Sequence, residues 1–138
     1  MEKENNILYD SFGRKHSYLR ISLTELCNLR CTYCMPEEGI QLSPKSHIMT
    51  YDEVFEIASV FVKHGVTKIR LTGGEPFVRK DFVNFLESLS FNDKLEEINI
   101  TTNGALIANH IDKLEALNIN AINLSIDSLE KEKFAKIT

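Results

Sequence analysis

Short stretches of alternating apolar and polar residues, each followed by a run of helical period, organise this chain. In Tyr18-Leu19-Arg20-Ile21-Ser22-Leu23, Leu19, Ile21 and Leu23 fall on one side and Arg20 and Ser22 on the other, as in a strand. After a loop rich in Cys, Pro, Glu and Gly, Thr50 reads as a helix N-cap, with Glu53 completing a capping box. Val54, Ile57, Ala58, Phe61 and Val62 follow at helical spacing, and Gly65 is placed to stop that helix. The unit then recurs. Lys68 to Thr72 predicts a second strand, Gly73-Gly74-Glu75-Pro76 a turn, and Phe82, Phe85, Leu86 and Leu89 one helix face. Glu97 to Thr102 predicts a third strand, followed by a helix carrying Leu106, His110, Leu114 and Leu117. Ala121 to Ile126 predicts a fourth strand, and Leu129 to Ile137 the start of another helix.

Strands alternating with helices imply an α/β fold built on a parallel sheet with right-handed crossovers. Each strand has one polar face: Arg20 and Ser22; Lys68, Arg70 and Thr72; Asn99, Thr101 and Asn103; Asn123, Ser125 and Asp127. A doubly wound sheet needs both faces apolar, because helices cover both. Helices here can cover only one, so the other lines something wet. A partial (βα) barrel with a polar lumen meets that requirement; an open sheet with one solvated face is the alternative.

Composition narrows the class without naming a chemistry. The 138 residues suffice for one domain with a core, and 43% hydrophobic against 26% charged residues excludes a disordered chain. A net charge of -4 gives no global reason to bind nucleic acid or an anionic membrane. No apolar run approaches the roughly 20 residues that span a bilayer. The polar start from Met1 to Asn6 lacks the apolar stretch of a signal peptide, so a cytoplasmic location is expected.

The three cysteines change the picture most. Cys27, Cys31 and Cys34 crowd into eight positions on the loop leaving the first strand, which is no disulfide framework. Loops at the carboxyl ends of barrel strands carry the chemistry. Iron–sulfur cubanes normally take four thiolates, so three would leave one iron open to a substrate or cofactor. A zinc site with His16 or another fourth ligand is the competing reading, although structural zinc usually draws on two close pairs.

Cys-x3-Cys-x2-Cys with an aromatic residue before the last cysteine resembles the radical SAM signature. Asp10-Ser11-Phe12-Gly13-Arg14, Cys34-Met35-Pro36-Glu37-Glu38-Gly39, Lys68 to Pro76, Thr101-Thr102-Asn103-Gly104 and Asn123 to Ser128 narrow the resemblance. Together they look like the molybdenum cofactor biosynthesis protein A family, the GTP 3′,8-cyclases, over nearly the whole chain from Asp10. The resemblance implies an enzyme with a [4Fe-4S] cluster and S-adenosylmethionine. A 5′-deoxyadenosyl radical would take hydrogen from C3′ of GTP, which then closes onto C8 to give 3′,8-cyclo-7,8-dihydroguanosine triphosphate.

Residue by residue, the resemblance makes Cys27, Cys31 and Cys34 cluster ligands, and Tyr33, Gly74 and Ser125 contacts of S-adenosylmethionine. Arg20, Arg70 and Thr101 match GTP contacts, and all three lie on polar strand faces. Tyr33 as loop packing and Gly73-Gly74 as an ordinary strand-to-helix turn are the plainer readings. Glu25-Leu26 and Phe77 depart mildly from the family pattern. Implied partners are GTP, an electron donor of unstated identity and the next enzyme of the pathway; a homodimer is left open. Residues 1–138 then form the amino-terminal part of a radical SAM partial barrel of about four βα units. Family members continue into further strands and a second cluster, so this stretch alone is expected to be poorly stable and inactive. Another radical SAM enzyme, or a non-catalytic three-cysteine metal module, is the alternative function.

Overall fold

A computed structural model describes residues 7–117 and 119–138. Strands β1 (Tyr18–Ser22), β2 (Lys68–Thr72), β3 (Glu97–Thr102) and β4 (Ala121–Leu124) form one sheet in the order β1-β2-β3-β4. Every pairing is parallel, and Arg20 stands beside Arg70 and Arg70 beside Asn99 in register. The intervening helices are α1 (Tyr51–Lys63), α2 (Phe82–Ser90) and α3 (Ile111–Ala116), with α4 (Lys131–Ile137) after β4. Sequential strand order without reversal is the winding of a barrel, since doubly wound sheets reverse direction at a switch point. The four units form an arc of a (βα) barrel with the helices outside.

The core lies on the helix side only. Ile21, Ile69, Leu71, Ile98 and Ile100 of the strands join Val54, Ala58 and Val62 of α1, Phe85, Leu86 and Leu89 of α2, and Leu114 of α3 in one cluster. The largest fully buried side chains among these, Ile69, Leu71, Leu86, Leu89 and Ile100, are at most 1% exposed. Each contributes about 1.5–3 kcal/mol by leaving water.

Local signals set the helix ends. The Glu53 N–H donates to Thr50 Oγ1 at 3.2 Å and the Thr50 N–H to Glu53 Oε2 at 2.7 Å, the reciprocal capping box predicted for α1. At the other end Gly65, with φ 103°, lets the N–H of Val66 return to the Phe61 carbonyl. A left-handed residue at this point is what closes a helix in this way.

Three boundaries differ from the sequence expectation. The helix after β3 is a 3-10 turn from Ile107 to His110 followed by the short α3. Strand β4 stops at Leu124 rather than Ile126, because the Ser125 N–H already closes on the Thr102 carbonyl and the next β3 amide facing β4, that of Gly104, donates instead to Thr102 Oγ1 at 3.1 Å. α4 begins at Lys131 because Ser128 Oγ first accepts the Glu130 N–H in a local turn.

The predicted faces hold on β1 and β2, and on β3 apart from Asn99. Ile122, Leu124 and Ile126, however, remain 39%, 53% and 47% exposed, so the apolar side of the fourth unit is uncovered. Asn99, on the polar side, is instead buried at 1%, its amide near Glu97 at 3.4 Å. No helix among the described residues is long and apolar enough to cross a membrane.

Candidate active site

The site sits where β1, β2, β3 and β4 present their carboxyl ends. Its framework is the contact between the cysteine loop and the Gly-Gly turn after β2. The Gly74 N–H donates to the Thr24 carbonyl and the Glu75 N–H to the Leu26 carbonyl, both at 2.7 Å. A Cβ on Gly74 would stand 2.2 Å from the Leu26 carbonyl oxygen, so this position admits only glycine. The loop is therefore held one residue before Cys27. Because the Gly74 N–H is already used, the group it can offer an ammonium is its carbonyl.

Further anchors fix the loop. Arg79 donates to the Leu23 and Met49 carbonyls, each at 2.6 Å, with its guanidinium 4.1 Å from the centre of the Tyr51 ring. Glu25 accepts the Ser43 N–H at 2.8 Å and the Ser43 hydroxyl at 2.7 Å, closing the long loop on itself. These bonds hold the Glu25 carboxyl below its ordinary range, the backbone N–H contributing most. Arg30 folds back onto the Cys27 and Leu29 carbonyls. The N–H groups of Cys34 and Met35 both return to the Cys31 carbonyl, a turn that keeps the last two cysteines on one loop crest.

One cavity of about 170 Å³ gathers the predicted residues: Cys27, Cys31, Cys34, Tyr33, Gly74, Ser125, Arg20 and Thr101 all line it. Arg70 is not in the wall; it reaches the wall from beneath, its Nη1 donating to Thr101 Oγ1 at 3.3 Å. Arg70 Nε is buried without a hydrogen-bond partner. Neither Arg20 nor Arg70 has a carboxylate partner among the described residues, whereas Lys68 is committed to Glu97 at 2.7 Å. Two neighbouring guanidinium groups without a counter-charge form a site for an anion with several oxygens.

Sequence reasoning placed no role on Asp127, Asn103 or Glu75. Tyr33 donates its phenol to the Asp127 carboxylate at 3.0 Å, spanning from the cysteine loop to the loop after β4. That bond leads the causes that push the Tyr33 hydroxyl up to about 12. Asn103 contacts both Asn28 and Cys27. The signal for Asp127 and Asn103 was present, since both continue polar strand faces.

The cysteines are free thiols. Burial first, and then the neighbouring Cys34, push the Cys31 thiol up, with Asp127 and Cys27 adding to the effect. Thiolate is the metal-binding form of cysteine, and a cationic centre at the site favours it. Among the described residues no three His, Cys, Asp or Glu side chains group as ligands of a single metal ion. Soft donors spread along one cavity wall suit the separate irons of a cluster, and the residues present fit that group.

Site and fold together define a barrel-arc protein with three thiols at its mouth, and the comparisons agree. The family model of the Radical SAM superfamily matches residues 21–138. The chain belongs to the radical SAM superfamily. More particularly, it is 49% identical over 136 residues to molybdenum cofactor biosynthesis protein 1 of Drosophila melanogaster, covering 99% of this chain and 24% of the fly protein. The Homo sapiens protein of that name is 53% identical over 127 residues, covering 92% of this chain and 20% of its own length. A GTP 3′,8-cyclase of Peptoclostridium acidaminophilum is 47% identical over 133 residues, 96% of this chain and 41% of that enzyme. The chain thus spans between 20% and 41% of the length of these relatives. Among solved structures, BtrN in complex with AdoMet and 2-DOIA aligns with a TM-score of 0.61 at 20% identity, over 90% of this chain and 51% of that one. That likeness concerns the fold.

Proposed function

We propose that the chain is part of a radical SAM GTP 3′,8-cyclase, which converts GTP to 3′,8-cyclo-7,8-dihydroguanosine triphosphate in molybdenum cofactor biosynthesis. The observation that carries this reading is the pair Arg20 and Arg70, uncompensated by any carboxylate among the described residues, beside a cavity lined by three free thiols. The names of the relatives agree with it.

When bound, the [4Fe-4S] cluster and S-adenosylmethionine supply a 5′-deoxyadenosyl radical. The chain's own residues bind and orient. Cys27, Cys31 and Cys34 hold the cluster, and the Gly74 carbonyl, Ser125 and Tyr33 hold S-adenosylmethionine. Arg20 and Arg70 grip phosphate oxygens, and Thr101, already bonded to Arg70, shares the contact. An electron donor and the enzyme that consumes the product complete the set of partners. The free thiols fit the reducing cytoplasm.

The test is anaerobic reconstitution of the full-length protein with S-adenosylmethionine, GTP and reductant. The reading expects 5′-deoxyadenosine and the cyclised nucleotide in parallel. Cleavage of S-adenosylmethionine with GTP left intact would remove the substrate assignment while sparing the family.

A further inference from the structure

Glu75 is a carboxylate at 0% exposure, a placement that is costly unless hydrogen bonds compensate the charge. Three donors do so. Its Oε1 accepts the Phe77 N–H at 3.2 Å and the Thr102 hydroxyl at 2.7 Å, and its Oε2 accepts the Asn103 N–H at 2.7 Å. The turn after β2 is thereby bolted to the end of β3. Asn103 is bound in turn on both sides of its side chain. Its Oδ1 accepts the Ala105 N–H at 3.0 Å, which settles the orientation of the amide. The Nδ2 group must then face the cysteine loop, where it lies 2.8 Å from Asn28 Oδ1 and 3.9 Å from Cys27 Sγ.

We infer that Asn103, held by Glu75, is a positioning residue that donates an N–H to the Cys27 sulfur and so sets the reduction potential of the cluster. The inference rests on the cluster reading above. Donors aimed at cluster sulfurs stabilise the more electron-rich, reduced state and raise its potential. Glu75 acts only through Asn103, by fixing the backbone from which that amide projects.

The test is an EPR-monitored redox titration of the reconstituted full-length holoenzyme, without S-adenosylmethionine. The proteins compared are wild type, Asn103→Leu, Glu75→Gln and the double variant. Leucine keeps the volume and removes the donor. Glutamine keeps the shape of Glu75 but, neutral and with one carbonyl oxygen for three donors, weakens the hold on Asn103 whichever way its amide turns. The expected result is a more negative midpoint in Asn103→Leu, a shift of the same sign in Glu75→Gln, and no additional shift in the double variant. Hydrogen exchange on the cluster-free protein is expected to show faster exchange of the Asn103 amide in Glu75→Gln. A wild-type midpoint in Asn103→Leu overturns the inference alone, and needs no folded Glu75 variant. A Glu75→Gln protein with fast exchange at Asn103 and an unshifted midpoint overturns the role of Glu75. Failure of wild type to assemble a cluster overturns the cluster reading and this inference with it.

Discussion

Gly74→Ala is the sharpest structural perturbation the fold offers. An alanine Cβ would stand 2.2 Å from the Leu26 oxygen, 2.7 Å from its carbonyl carbon and 2.9 Å from the Glu25 oxygen, all of them backbone. To reach ordinary contact at 3.4 Å the loop must retreat by about 1.2 Å. That movement strains or breaks the two 2.7 Å bonds from Gly74 and Glu75 to Thr24 and Leu26. Overpacking costs about 1–3 kcal/mol, and two backbone hydrogen bonds add about 0.5–1.5 kcal/mol each. The expected total is about 2–6 kcal/mol, a large share of the stability of one domain. Because Cys27 follows Leu26 directly, cluster assembly should fall as well. Differential scanning calorimetry and iron and sulfide analysis after reconstitution measure the two effects. Gly13→Ala serves as the control, since φ 78° strains alanine there but nothing lies within 4 Å of its Cβ. It should cost about 1 kcal/mol and leave assembly intact. A Gly74→Ala protein as stable as wild type and fully loaded with iron would refute the reasoning.

Two further outcomes follow from the same geometry. Thr50→Ala should cost about 1 kcal/mol through loss of the α1 cap. Bonds from the Thr50 N–H and hydroxyl lower the Glu53 carboxyl from 4.5, so this support is present above pH 4.5 and is lost as pH falls through the lower folded value. A Glu53→Gln variant, which cannot ionise, should therefore close its melting-temperature gap to wild type on acidification, and a gap independent of pH would count against the reciprocal box. Arg70→Ala should weaken GTP by about 10- to 100-fold in KM, the worth of charge-assisted bonds of about 1.5–3 kcal/mol, while 5′-deoxyadenosine formation without GTP stays unchanged. Equal loss of both reactions would place Arg70 in the fold rather than at the substrate.

The alternation of Leu19, Ile21 and Leu23 against Arg20 and Ser22 was enough to foresee the arc and its polar side, because strand period is a local property. The capping box at Thr50 and the stop at Gly65 were legible for the same reason. What local pattern could not show was pairing at a distance. Glu75 reads as a solvated turn residue until Thr102 and Asn103, 27 and 28 positions later, are brought to its oxygens. The early end of β4 has a separate cause, since Thr102 Oγ1 takes the Gly104 N–H that would have continued the ladder. Asn99 looked wet by its place in the alternation, yet it is buried beside Arg70 and Glu97. Conversely, the apolar face of β4 looked like core, but no described helix covers Ile122, Leu124 and Ile126. The residues that line the cavity could be grouped in advance because strand ends converge, but that Arg70 lies outside the wall, behind Thr101, needed the structure.

The central claim is that Cys27, Cys31 and Cys34 hold a cluster with one open iron that takes S-adenosylmethionine. Its most direct test is EPR of the anaerobically reconstituted, reduced full-length protein before and after S-adenosylmethionine is added, beside a Cys31→Ala variant. The account predicts about four iron and four sulfide at this site, a spectrum perturbed by S-adenosylmethionine, release of 5′-deoxyadenosine, and loss of all three in the variant. Stoichiometric zinc without iron or sulfide at these cysteines would contradict it.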